Sequence, residues 1–90
     1  MKIVINECYG GYSLSEEAYT KLGKEWDSYG YDYADDRTNE KLVAVVEMLG
    51  KAAAGECARL KVVRIPDNVE WEIEEYDGIE WIAEKHRTWQ

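Results

Sequence analysis

Residues 69–85, VEWEIEEYDGIEWIAEK, constrain this chain most: two alternating apolar/polar runs joined by Asp77-Gly78. Asp-Gly between such runs is the strongest short-range hairpin signal, because both residues tolerate the positive φ of a type I′ turn. A two-residue turn sets Tyr76 opposite Ile79, Ile73 opposite Ile82 and Trp71 opposite Glu84. One face of the ribbon then carries Trp71, Ile73 and Ile82. The other carries Glu70, Glu72, Glu74, Tyr76, Ile79, Trp81 and Ala83. An isolated hairpin is marginal in water, so one face must pack on the rest of the chain.

Upstream, 2–8 alternates as a strand and stops at Gly10-Gly11. Ser13 and Glu16 have the spacing of a capping box, and Leu14, Ala18 and Leu22 follow at helical spacing, so a short helix is expected over 14–22 with Gly23 closing it. Asn39 caps a second helix whose Leu42, Val45, Val46 and Leu49 form one apolar stripe ending at Gly50. Residues 59–65 read as a further strand, apolar on both sides, and Pro66-Asp67-Asn68 turns the chain into the hairpin. The order is β-α-α-β-β-β. It predicts a single α+β domain over 1–90, a two-layer sandwich of two helices on a three- to four-stranded, mostly antiparallel sheet. Residues 24–37 show no period. Trp26, Tyr29, Tyr31 and Tyr33 stand there among acidic and small residues, as in a functional loop or one pinned by its own aromatics.

Ninety residues support one thin core and leave little room for a deep active-site cavity within a single chain. The formal charge is −8, and 67–90 holds eight carboxylates against two cations, net −6. Such a surface repels phosphate backbones, which disfavours direct nucleic-acid binding, and suits a protein partner with a basic face; high solubility alone would also explain it. No run approaches the roughly 20 apolar residues of a membrane span, and the N-terminus lacks a signal-peptide core, so a cytoplasmic protein with reduced thiols at Cys8 and Cys57 is expected.

Chemical constellations are weak. Cys8 before Gly10-Gly11 could serve as a nucleophile with His86, the one histidine, but nothing in the spacing joins them and no third residue orients the base. Two Cys and one His without close spacing cannot furnish four zinc ligands, and the carboxylates among 27–36 lack the pattern of a calcium loop, so no metal or cofactor is expected. Glu75 and Glu80 lie opposite each other near the hairpin turn, where both should be wet and serve as edge-protecting charge. The Gly10-Gly11 loop lies between a strand and a capped helix, where backbone amides can cradle an anion. A ligand site there would comprise Tyr9, Gly10, Gly11, Tyr12 and Ser13 with Arg37 and Arg87 as counter-charges; a tight turn is the simpler reading.

The opening MKIVINECYGGYSLSEEA, the middle DRTNEKLV and the closing VEWEIEEYDGIEWIAEKHRTW resemble a family of short proteins encoded by bacteriophages and prophages. CYGGxxLS and YDGIEWxAEKHRTW are specific as motifs, and the similarity spans nearly the whole chain. The resemblance implies a phage-accessory context, in the cytoplasm of a bacterial host, and brings no catalytic residue with it. Two functions are therefore expected of the residues themselves. The first is a non-enzymatic acidic protein whose Glu70, Glu72, Glu74, Tyr76, Ile79 and Trp81 bind a basic partner surface, a host defence component among the partners that fit. The alternative is a binder of a nucleotide-like signal at the Gly10-Gly11 loop, for which a homodimer is the natural way to enclose the ligand.

Overall fold

In the computed structural model, which describes residues 1–85, four strands and two helices follow the expected order: β1 Lys2–Asn6, α1 Glu16–Leu22, α2 Glu40–Leu49, β2 Leu60–Arg64, β3 Trp71–Tyr76 and β4 Ile79–Glu84. The α+β class and the C-terminal hairpin are as the sequence implies. The sheet is not. β1 pairs only with β2 and β3 only with β4, giving two antiparallel two-stranded sheets where three or four joined strands were expected. The outer edge of β1 is closed to a third strand, because a side-chain ion pair occupies backbone groups there.

Asn39 caps α2 with its side-chain oxygen on the amides of Lys41 and Leu42, and Gly50 ends it. Leu42, Val45 and Val46 on its buried stripe meet Val4, Leu60 and Val62, all on one face of the β1–β2 ribbon; Tyr12, Leu14, Ala18 and Tyr19 complete this core. Ile3 and Ile5 alternate to the other face and are also buried, on the strand that lies against β4.

α1 begins two residues later than its capping-box pattern implies. Ser15, not Ser13, is the N-cap, accepting from the Ala18 amide, while Leu14 forms a lone antiparallel bridge with Ala54 and the Ser13 carbonyl accepts from the Gly55 amide. Tertiary pairing has drawn Ser13 and Leu14 out of the helix. Gly23, in the left-handed region at φ 74°, closes α1 as expected.

The loop between the helices is pinned, chiefly by side chains from outside it. The Tyr12 hydroxyl donates to the Asp32 carbonyl at 2.7 Å, the Asp32 amide donates to the Tyr19 hydroxyl, and the Leu14 amide donates to the Gly30 carbonyl. Trp26 packs edge-on against Tyr19, whereas Tyr29 and Tyr31 stack on each other in solvent. The Asp27 carboxylate accepts from the Gly30 and Tyr29 amides, which hold its pKa below the ordinary value.

Candidate functional site

The hairpin has the anticipated register, Trp71↔Glu84, Ile73↔Ile82 and Tyr76↔Ile79, and its turn has φ 52° at Asp77 and 92° at Gly78, as a type I′ turn requires. Its outward face carries Tyr76, 73% exposed, and Trp81, 43% exposed, with Glu70, Glu72 and Glu74 in solvent and Ile79 half-buried. Glu74 is directly opposite Trp81 across the strands. Tyr76 and Trp81 are thus open to solvent. An indole and a phenol therefore stand in an acidic field on this two-stranded ribbon.

What holds the ribbon in place is a group that pattern reading placed in solvent. Glu80 is only 9% exposed, and its carboxylate takes a bidentate pair of bonds from the Arg37 guanidinium, Nη1 to Oε1 at 2.6 Å and Nη2 to Oε2 at 2.7 Å. Oε1 also accepts from the Asn6 amide at 2.8 Å. Arg37, equally buried, donates through Nη1 to the Val4 carbonyl and through Nε to the Ala34 carbonyl, and its guanidinium lies over the Tyr12 ring, 3.9 Å from the centroid. The Val4 amide donates to the Arg37 carbonyl. Every outward backbone group of β1 at Val4 and the Asn6 amide is thereby satisfied, so the edge is closed without a strand. Asn6 itself is fully buried; its side-chain amide donates to the carbonyls of Cys8 and Gly78 and its oxygen accepts from the Arg59 amide, tying β1, the hairpin turn and the start of β2 together.

Glu75 and Glu80 are cross-strand neighbours as expected, but they are not a wet pair. Glu80 shares a face with Ile73 and Ile82 and so turns inward, while Glu75 caps the turn by accepting from the Gly78 amide at 2.7 Å. A signal for this was present in the alternation: a carboxylate on the apolar face of a hairpin needs a cation, and Arg37 is the cation that closes the aromatic loop.

The residues of the alternative ligand site are placed as follows. Tyr9 is exposed and Tyr12 is buried under Arg37. Gly10 lies so close to Cys57 that a Cβ there would overlap its carbonyl, and the Gly11 amide donates to the Cys8 carbonyl. Gly78 packs against this same loop, at Tyr9 and Gly11. The Ser13 carbonyl and side chain lie beside Gly55, Arg37 is committed to Glu80, and Arg87, like His86, lies outside the described residues. α1, which follows, opens with Glu16 and Glu17, whose charges oppose an anion at its start. Cys8 is half-buried and Cys57 exposed, both as free thiols. Among the described residues no three His, Cys, Asp or Glu side chains are grouped to hold a metal ion, and no helix is long and apolar enough to cross a membrane.

Burial raises the Tyr12 phenol well above its ordinary pKa, against the opposing pull of Arg37; Tyr19 is raised too, again by burial first. Below about pH 10 the phenol is neutral in both folded and unfolded chains, so its contribution is complete there. Above that value the unfolded chain ionises while the folded one resists, so stability falls as pH rises through the alkaline range. Urea midpoints measured across that range should decline, and Tyr12→Phe should make the decline shallower while costing about 0.5 to 1.5 kcal/mol near neutrality for the lost bond to Asp32. An unchanged alkaline slope in the variant would place Tyr12 in solvent.

No family model, curated protein or solved structure matches this chain.

Proposed function

We propose that this chain is a non-enzymatic, acidic interaction protein of the phage or prophage type, acting in the cytoplasm of a bacterial host, and that it binds a basic surface of a host or phage protein through the outward face of its hairpin. The observation that carries this reading is the exposure of Tyr76 and Trp81 among Glu70, Glu72 and Glu74 on a ribbon whose other face is fastened by a buried ion pair. Aromatic anchors ringed by charge are the common build of protein interfaces, and a rigid platform lowers the ordering cost of binding. A host defence component is among the partners such a surface would serve. Charge complementarity of this kind mainly raises the association rate and fades with salt.

Trp81→Ala separates an anchor from a core residue. As an anchor, its loss should leave the melting temperature nearly unchanged, with a stability effect within about 0.5 kcal/mol, while partner affinity falls about 30-fold or more, as for a hot-spot aromatic. Capture from bacterial lysate at low salt, with elution by salt, supplies the partner. A loss of about 3 to 5 kcal/mol in stability would instead mark Trp81 as core.

A further inference from the structure

The two edges of the β1–β2 ribbon differ in a way that points to a second docking surface of opposite charge. The register pairs Ile3 with Val63 and Ile5 with Lys61, and the flanking bonds run from the Ile65 amide to the Met1 carbonyl and from the Glu7 amide to the Arg59 carbonyl. The odd-numbered residues therefore carry the ladder, and the even-numbered ones turn their backbone groups outward. On β1 these outward groups meet Arg37 and Glu80. On β2 the outward N–H and C=O groups of Val62 and Arg64 have no backbone partner among the described residues. An open edge of this kind is a template for an added strand.

Its charge says what strand would fit. Residues 57–66 contain Arg59, Lys61 and Arg64 and no carboxylate, in a chain of net charge −8. All three cations are exposed; Lys61 touches Glu7 at 3.4 Å, and Arg59 and Arg64 form no ion pair among the described residues. We infer that the open edge of β2 takes an extended acidic segment of another protein as a third strand, with backbone bonds to Val62 and Arg64 and its carboxylates on the face of Arg59 and Lys61; Arg64 adds positive charge on the opposite face. A second copy of this chain is the poorer occupant, because two bodies of net −8 repel and two β2 edges would set like charges side by side. The inference is independent of the hairpin face, which is acidic and seeks a basic partner.

The probe is a short, end-blocked, fluorescein-labelled peptide alternating Glu and Val, titrated with the full chain by fluorescence polarisation at low salt. Saturable binding is expected, absent for the peptide with Lys in place of Glu, weakened about tenfold or more by Lys61→Glu, and lost in Val62→Pro. Proline at 62 removes an outward N–H and no bond to β1, and a thermal melt verifies that the variant folds; should it not fold, Lys61→Glu and Arg59→Glu, on one face, decide. Trp81→Ala should bind the peptide as the parent does, which separates this surface from the hairpin face. No saturable binding, equal binding of the Lys peptide, or indifference to Lys61→Glu and Arg59→Glu would overturn the inference. So would sedimentation showing a dimer that Val62→Pro dissolves, since the edge would then belong to a second copy.

Discussion

Glu80→Ala should destabilise the fold by about 3 to 5 kcal/mol, because it strands the Arg37 guanidinium in a buried site without its counter-charge and also removes the acceptor for the Asn6 amide. That is comparable with the whole stability of a small domain at the low end, about 5 kcal/mol, so the variant should be largely unfolded at moderate temperature. Arg37→Ala should cost a similar amount by stranding the carboxylate. The double variant should cost much less than the two together, since neither charge is left alone. Replacing both by apolar residues of similar volume should be close to neutral in stability, although β1 would regain an open edge. Urea midpoints of the four proteins test this. Single-variant losses under about 1 kcal/mol, the range of an exposed pair, would contradict the buried bidentate geometry.

Gly78→Val should be nearly as damaging, at about 3 kcal/mol or more. Its φ of 92° is a region that β-branched residues strongly resist, a strain worth about 1 to 3 kcal/mol. The turn also packs against the 8–11 loop, where any Cβ on Gly78 would overlap the Tyr9 carbonyl oxygen and the Gly11 amide nitrogen, both backbone atoms that cannot step aside. Gly78→Ala should therefore lose most of that amount as well. Gly11 supplies the comparison: its φ of 84° is similar, but a Cβ there meets open space, so Gly11→Ala should cost only the strain, about 1 kcal/mol. Equal losses at the two glycines would mean that the hairpin turn does not touch the loop.

The parts of this fold that could be read from sequence are those decided within a few residues. Asp77-Gly78 and the alternation around it fix the hairpin register, and Asn39 with the Leu42 to Leu49 stripe fixes α2, because turn geometry and helix capping are local. Ser13 misled for the converse reason: its spacing to Glu16 is that of a cap, but pairing with residues 54 and 55 outweighs a cap's roughly 1 kcal/mol. Glu80 and Arg37 are 43 residues apart, so no pattern of spacing could join them, and with that pair hidden the closed edge of β1 was hidden too. At that edge β4 meets β1 through the Glu80 side chain and not through a backbone ladder. The outward set of Tyr76, Ile79 and Trp81 follows from register alone, whereas whether another segment covers it depends on where the aromatic loop lies. That loop is held by Tyr12, Tyr19 and Leu14, through contacts that sequence spacing does not encode.

The central claim is that the Tyr76 and Trp81 face meets a partner, and site-specific photocrosslinking tests it most directly. Benzoylphenylalanine at position 76 replaces one exposed aromatic ring with another and should leave the fold intact; the same group at Tyr29, also exposed but in the aromatic loop, is the control. Irradiated in bacterial lysate at low salt, the position 76 protein should yield a discrete adduct with a basic protein that high salt or Trp81→Ala suppresses, and the position 29 protein should not. No adduct from position 76, or the same adducts from both positions regardless of salt, would contradict the account.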